Sequence, residues 1–335
     1  MKIVLFEVPK TEQNGLIQLL TGADVSFYEE KLTEENAKKA LDAEIVSVFV
    51  NSEINKDMID LLPNLEFLIT RSVGFDHIDV AYCKEKGIKV ANVPAYGSHT
   101  VAEFTFGLLL NLSRKIYHAY HQLREGTDFN ISELSGFNLQ GKTLGVIGTG
   151  KIGKNVVKIA KGFEMNVIAY DVFPDANFAK ENNFSYVPLN ELLSSSDVVT
   201  IHAPYTKETH HLINKENIKL FKKGAYLINT ARGEIVETDA LLRALKDGII
   251  AGAGLDVLEG ERILKEENEL FASAKVDRIK DFKTLVEDHI LIDLPNVIVT
   301  PHMAFYSKEA EEEILKTTAE NIKSFISGQP INLVK

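Results

Sequence analysis

Short apolar runs alternate with polar or amphipathic stretches along most of the chain. Residues 3–6, 25–28, 45–50, 67–70 and 88–91 each read as a buried strand. Helical patterns separate several of them: a polar stretch at 34–41, then 56–62 and 78–85. Strands that alternate with helices predict a parallel sheet covered on both faces, with right-handed crossovers. Pro94 and the Tyr96-Gly97-Ser98 stretch then punctuate the chain. Residues 101–112 follow, apolar around most of a helix, which predicts a helix that is buried or lies at an interface. A second set of strand-like runs lies at 144–147, 167–170, 198–201, 226–228, 254–257 and 297–299. Helical stretches accompany these at 190–193, 214–221 and 238–246. The pattern therefore predicts two doubly wound α/β sheets. The segment 262–294 is too long for a plain loop, and its Leu/Ile/Phe spacing predicts short helices. Residues 307–326 read as one amphipathic helix with Ser307 as N-cap and with Glu309, Glu311 and Glu312 at the positive end of its dipole.

One βαβ unit carries more than periodicity. The strand at 144–147 runs directly into Gly148-Thr149-Gly150-Lys151-Ile152-Gly153. Val156, Val157, Ile159, Ala160 and Phe163 then recur at helical spacing, and the strand at 167–170 ends on Asp171. This is the order of a dinucleotide fingerprint. Gly148 permits the tight turn, Gly150 admits a pyrophosphate close to the backbone, and Gly153 lets the helix approach the sheet. The pyrophosphate then meets N–H groups at the helix start. Asp171 can accept from the adenosine ribose. Val172 follows it where a basic residue would be needed for a 2′-phosphate, which favours NAD over NADP.

Composition narrows the setting. A chain of 335 residues is long enough for two domains. It has no continuous apolar run long enough to span a bilayer. The opening MKIVLFEVPK is too short in its apolar part for a signal peptide and reads as a strand, so a cytoplasmic protein is expected. A single cysteine, Cys83, allows neither an intrachain disulfide nor a cysteine-based zinc site. A net charge of -11 argues against nucleic acid or an anionic membrane as partner.

Several motifs then stand in a fixed order: RSVGFDHID from Arg71, NVPAYGSHTVAE from Asn92, the glycine fingerprint, HAPYTKETHHLIN from His202, NTARG from Asn229, GLDVLEGE from Gly254 and TPHMAFYS from Thr300. Together they resemble the D-isomer-specific 2-hydroxyacid dehydrogenases, most closely the D-lactate dehydrogenase group. The resemblance covers nearly the whole chain. It implies a Rossmann coenzyme domain, 99–303, inserted in a flavodoxin-like substrate domain made of 1–98 and 304–335. It also implies NAD as cofactor, a small 2-keto or 2-hydroxy acid as substrate, and a homodimer formed through the coenzyme domain. The apolar stretch 101–112 points to the same dimer.

The resemblance assigns catalysis to Arg232, Glu261 and His302. An imidazole titrates near neutral pH and suits an acid/base role. A carboxylate beside it favours the charged ring and fixes its orientation. The spacing from Asp256 in DVLEGE matches the family's catalytic glutamate at Glu261 and not at Glu259. A guanidinium grips a carboxylate with two parallel bonds. Backbone N–H groups of Val73 and Gly74 are expected on the substrate carboxylate, and Tyr96 and Phe305 as pocket walls. Lys151 and Ile152 are expected at the pyrophosphate. Ala203, Pro204 and Thr209, then Thr230, Ala231 and Asp256, are expected around the nicotinamide, with Arg232 and His302 bordering it. His210 and His211 have no matching ligand pattern for a metal. Two positions depart from the lactate group: Asn51, where an aromatic residue is usual, and His99, where a proline is common. Three readings stay open: a D-lactate dehydrogenase, a dehydrogenase for a larger aromatic or branched 2-keto acid, and an NAD-sensing corepressor-like protein.

Overall fold

The computed structural model describes residues 1–94, 96–261, 264 and 279–334. The chain divides into two compact units, Met1–Gly97 with Tyr306–Lys335, and Ser98–Phe305.

The first unit runs β1 (Lys2–Leu5), α1 (Lys10–Leu19), β2 (Asp24–Phe27), β3 (Ile45–Val48), α2 (Lys56–Asp60), β4 (Phe67–Thr70), α3 (Val80–Glu85) and β5 (Lys89–Ala91). Its sheet is parallel throughout, in the order β2-β1-β3-β4-β5. That is the flavodoxin-like order. Every residue of β3 and β4 is buried, as expected of strands covered on both faces. Val4, Val46, Leu68 and Val90 serve one face. Ile3, Leu5, Ile45, Phe67 and Ile69 serve the other, together with Leu16, Ala319 and Ile322. Ala319 and Ile322 lie on the C-terminal helix Lys308–Ile326, where Ser307 caps the start by accepting from Ala310 N at 3.2 Å. Helix α1 was not anticipated by the pattern: only Leu16 within it is buried and no side chain caps it. The stretch around 34–41 is only a short 3-10 turn at Ala37–Ala40.

The second unit runs α4 (Ser98–Arg114), α5 (Ile116–Gly126), β6 (Thr143–Ile147), α6 (Lys151–Gly162), β7 (Asn166–Tyr170), α7 (Ala176–Glu181), β8 (Ser185–Tyr186), α8 (Leu189–Ser195), β9 (Val198–Ile201), β10 (Ala225–Asn229), α9 (Thr238–Lys246), β11 (Ile250–Leu255), α10 (Ile279–Asp293) and β12 (Val297–Val299). The seven strands are parallel, in the order β12-β11-β10-β9-β6-β7-β8. The chain order reverses between β6 and β9, and the carboxyl ends of those two strands mark the switch point where such sheets bind ligands.

Three sequence expectations change here. The stretch 214–221 forms only a 3-10 turn at Ile218–Leu220. Asn214 Oδ1 accepts from Glu216 N and Asn217 N, a local turn that competes with helix. Strand β11 begins earlier than 254 and ends at Leu255, which leaves Asp256 and Val257 beyond it. In the 262–294 segment, α10 is one helix of 15 residues, while 262, 263 and 265–278 lie outside the described residues. The apolar pattern of 101–112 is taken up by the unit's own core, where Ala102, Phe106, Leu108, Leu109 and Leu112 cluster with Val156, Val157 and Ala160 of α6. A side chain at Gly254 would put its Cβ 3.0 Å from the Leu108 Cβ, so the bare backbone of β11 is what admits α4. Exposed apolar side chains appear instead on and after α5: Ile116, Tyr117, Tyr120, Leu123, Phe129 and Ile131. No helix among the described residues is long and apolar enough to cross a membrane.

Candidate active site

The glycine loop sits at the carboxyl end of β6. Gly148 has a φ of 89°, and a Cβ there would lie 2.7 Å from Ala203 N, so both conformation and space require glycine. A Cβ at Gly153 would lie 2.0 Å from the Gly148 carbonyl oxygen, so α6 packs directly on the turn. A Cβ at Gly150 would meet nothing within 4 Å, and no side chain caps α6 at that residue. The result is a helix start, Lys151 and Ile152 included, with open space beside its backbone and a dipole that favours an anion. A dinucleotide pyrophosphate fits this cradle.

Asp171 follows β7 directly and is tied to the same loop. Its Oδ2 accepts from Thr149 N at 2.6 Å and from Thr149 Oγ1 at 2.9 Å, and its Oδ1 accepts from Phe173 N at 2.8 Å. Because the Thr149 hydroxyl gives its proton to Asp171, the Tyr186 hydroxyl, 2.8 Å away, is the donor to Thr149. Sequence reasoning found Asp171 but not Thr149 or Tyr186, since no spacing rule links β8 to the glycine loop.

Beyond β9, Thr209 Oγ1 donates to Pro204 O at 2.8 Å and accepts from Thr206 N at 2.7 Å. Thr209 thereby closes the turn that carries Ala203 and Pro204. His202 Nε2 lies 2.9 Å from Thr200 Oγ1, whereas its buried Nδ1 has no partner among the described residues. Burial holds this imidazole far below its ordinary range, at about 3, so it is neutral.

At the end of β10, Asn229 Oδ1 accepts from Ala231 N at 3.0 Å and its Nδ2 donates to Arg232 O at 2.8 Å. This buried amide shapes the loop that carries Thr230, Ala231 and Arg232. Arg232 has extended backbone, and its Nη1 donates to Ala231 O at 2.8 Å. A Cβ at Gly233 would overlap the Leu258 carbonyl carbon at 2.0 Å, so the Arg232 loop is pressed against the DVLEGE loop. Burial raises the Glu234 carboxyl above its ordinary range. Arg232 opposes that shift, while Glu259 and Glu261 reinforce it. The four charged groups therefore share one neighbourhood.

His302 has a φ of 55°, in the left-handed region. The turn that holds it is wrapped around Asp256. Asp256 Oδ1 accepts from Thr300 Oγ1 at 2.5 Å and from Met303 N at 2.9 Å, and Oδ2 accepts from Ala304 N at 2.8 Å. The His302 N–H in turn donates to Asp256 O at 2.9 Å. Both Asp256 oxygens are thus directed at residues 300–304. Burial raises this carboxyl despite the hydrogen bonds that oppose the shift. The His302 ring places Nδ1 at 3.0 Å from each oxygen of Glu261. Among the described residues its Nε2 has no partner.

Glu259, two residues before Glu261, points elsewhere. Its Oε1 lies 2.7 Å from His211 Nε2, and its Oε2 accepts from Thr238 N at 3.1 Å and Thr238 Oγ1 at 2.7 Å. The His211 ring stacks on His210 with centroids 3.9 Å apart.

In the first unit, Val73 and Gly74 follow β4. Val73 O accepts from Asn92 Nδ2 at 2.8 Å and Gly74 O accepts from Ser72 Oγ at 2.6 Å. Tyr96 is buried and Phe305 is half-buried. The Asn51 amide Nδ2 donates to Glu7 Oε2 at 2.9 Å, next to Ser52 N and Phe49 N on the other Glu7 oxygen. His99 is exposed in the first turn of α4.

Residues 106–304 match the family model described as D-isomer specific 2-hydroxyacid dehydrogenase, NAD binding domain. The D-lactate dehydrogenase of Escherichia coli is 36% identical over 335 residues, covering 98% of each chain. A 2-hydroxyacid dehydrogenase homolog of Zymomonas mobilis is 39% identical, covering 92% of this chain and 91% of its own. Among solved structures, D-lactate dehydrogenase from Aquifex aeolicus complexed with NAD and lactic acid matches with a TM-score of 0.89 at 38% identity, covering 99% of both chains. The chain belongs to the D-isomer-specific 2-hydroxyacid dehydrogenases. It is an oxidoreductase whose coenzyme is NAD.

Proposed function

We propose that the chain interconverts pyruvate and D-lactate, with Arg232, Glu261 and His302 as the catalytic set. The observation that carries this reading is the His302–Glu261 pair, at 3.0 Å through Nδ1, with Nε2 left for a substrate. When bound, NADH supplies the hydride to the carbonyl carbon. Arg232 grips the substrate carboxylate and polarises the neighbouring carbonyl. Charged His302 gives its Nε2 proton to the carbonyl oxygen as the hydride arrives, so one proton and one hydride account for the alcohol. Glu261 keeps Nδ1 protonated and the ring oriented. We assign N–H donors for the carboxylate to Val73 and Gly74, and pocket walls to Tyr96 and Phe305. On the coenzyme side we assign Gly148, Gly150, Lys151, Ile152 and Gly153 to the pyrophosphate and Asp171 to the ribose. Ala203, Pro204, Thr209, Thr230 and Ala231 fall to the nicotinamide half, while Asp256 acts through the turn it caps.

One observation favours a second substrate class. Asn51 is drawn back by Glu7, and a short amide there leaves more room than an aromatic ring. An aromatic 2-oxoacid reductase of Clostridium sporogenes is 38% identical over 84% of this chain. NADH oxidation with pyruvate, branched and aromatic 2-keto acids decides the order. A kcat/KM highest for pyruvate supports the lactate reading, a higher value for a bulkier acid replaces it, and no turnover with any of them refutes both. We also assign a homodimer formed through the exposed apolar side chains of α5 and residues 127–131, and a cytoplasmic setting consistent with one buried thiol. Sedimentation of Tyr120→Glu tests the dimer.

A further inference from the structure

Asp288 belongs to none of the groups assigned above. It lies inside α10, far from either end of that helix, and is fully buried. Its Oδ2 accepts from the Gly260 N–H at 2.9 Å. Its Oδ1 has no hydrogen-bond partner among the described residues. The approach is close: a Cβ on Gly260 would come within 2.5 Å of Asp288 Oδ2 and 2.9 Å of Thr284 Cγ2, one turn earlier on the same helix. The residue after Gly260 is Glu261, whose carboxylate holds the His302 ring.

An acid in this place is a poor packing element. A half-satisfied carboxyl in the interior is less favourable than an apolar side chain of similar volume. Burial pushes it up to about 7, with Glu259 from the loop and Glu287 from its own helix adding to the shift and Gly260 N–H and His289 opposing it. Its one bond goes to the peptide that leads into Glu261. We propose that Asp288 is a positioning residue for the Glu261–His302 pair: it pins the Gly260 peptide and so fixes the Glu261 carboxylate against the imidazole. This inference rests on the catalytic reading of Glu261 and His302 given above.

The acceptor, and not the charge, is what the pin requires. Asp288→Asn keeps a carbonyl oxygen for Gly260, Asp288→Ala removes it and leaves space, and Asp288→Val removes it and fills the space. Each is compared with the parent and with Glu261→Gln by kcat, pyruvate KM, NADH affinity and the pH profile of NADH oxidation. The variants without an acceptor are expected to lose kcat by about 3- to 10-fold, the loss of roughly one hydrogen bond's worth of alignment. Their alkaline limb moves in the same direction as in Glu261→Gln, with NADH affinity unchanged. Asp288→Asn keeps the parental kcat within about twofold and keeps the limb, as expected when the hydrogen bond survives. It also melts higher than the parent at pH 8, with the gap closing toward pH 5. The folded parent favours the neutral carboxyl, so it loses stability as pH rises from the ordinary range through about 7. Parental kcat and limb in whichever acceptor-free variant folds overturns the proposal. A displaced limb in folded Asp288→Asn overturns it as well. If Glu261→Gln itself leaves the limb in place, the catalytic reading fails instead.

Discussion

Two histidine–carboxylate pairs stand side by side on one loop, and they are built for opposite ends. Glu259 meets His211 at 2.7 Å, and Thr238 takes the other oxygen through both its N–H and its hydroxyl. Burial alone would raise the Glu259 carboxyl, but the hydrogen bonds from His211 and Thr238 outweigh it and hold it low. Glu261 turns both oxygens to His302 Nδ1 and leaves the far side of that ring unused by any described residue. The difference lies in the carboxylates: Glu259 is shared between His211 and Thr238, whereas Glu261 gives both oxygens to one imidazole nitrogen. A short distance between imidazole and carboxylate therefore does not mark a reactive site.

The contrast can be broken by deletion. His302→Ala should reduce turnover on the order of 10² to 10⁴ with NADH affinity retained, whereas His211→Ala should stay within about threefold. Similar losses from both, in a steady-state assay with pyruvate, would erase the distinction between the pairs. Arg232→Lys keeps charge but loses the two-pronged grip. It should lower kcat/KM by about 10- to 100-fold, chiefly through KM, as measured by initial rates. Glu261→Gln should cost less, about 3- to 30-fold in kcat by the same initial rates, because the ring keeps a hydrogen-bond acceptor but loses the charged one.

Glu259→Gln sharpens the same comparison through stability. A carboxyl held low in the folded state contributes stability above its unfolded value near 4.5, and that contribution is lost as pH falls through the folded value. The variant should therefore melt lower than the parent at pH 7, by about 1–3 kcal/mol of stability, and the gap should close on acidification below 4.5. Calorimetry across that range checks it. The smallest effect is expected on the coenzyme side, where Tyr186 steadies Thr149 and hence Asp171. Tyr186→Phe should weaken NADH binding by about 2- to 10-fold, the worth of one neutral hydrogen bond. Titration of the fluorescence of bound NADH measures it.

Much of this was legible along the chain because burial on two faces writes itself as continuous apolar runs: β4 and β9 match the runs at 67–70 and 198–201. The glycines were legible for a different reason, since Gly148 and Gly153 have no substitute where backbone meets backbone. Weakly buried elements left little trace. Helix α1 rests on Leu16, and β8 is two residues long. The apolar stretch within α4 showed that it is covered but not by what, and the covering turned out to be α6 and β11. The contacts that steady the site were invisible for a related reason. Asp256 reaches residues 300–304, and Asp288 reaches Gly260 from 28 positions away. Neither has a period or a spacing that a sequence could display.

The first unit is closed by residues that are synthesised after the second. Phe325 stacks on Phe67 with centroids 4.4 Å apart, Asn321 Nδ2 donates to Asn92 O at 2.9 Å, and Val334 N donates to Val90 O at 2.9 Å. On the ribosome, β1 to β5 therefore emerge long before the helix that covers Ile3, Leu5 and Phe67 on one face exists. The inserted unit has all of its strands in one continuous stretch and is the first that can finish folding, although it comes second in the chain. For that interval the nascent first sheet carries an apolar face that α1 alone covers in part. Chaperone dependence and early aggregation should therefore track residues 306–334 more closely than the glycine loop or His302.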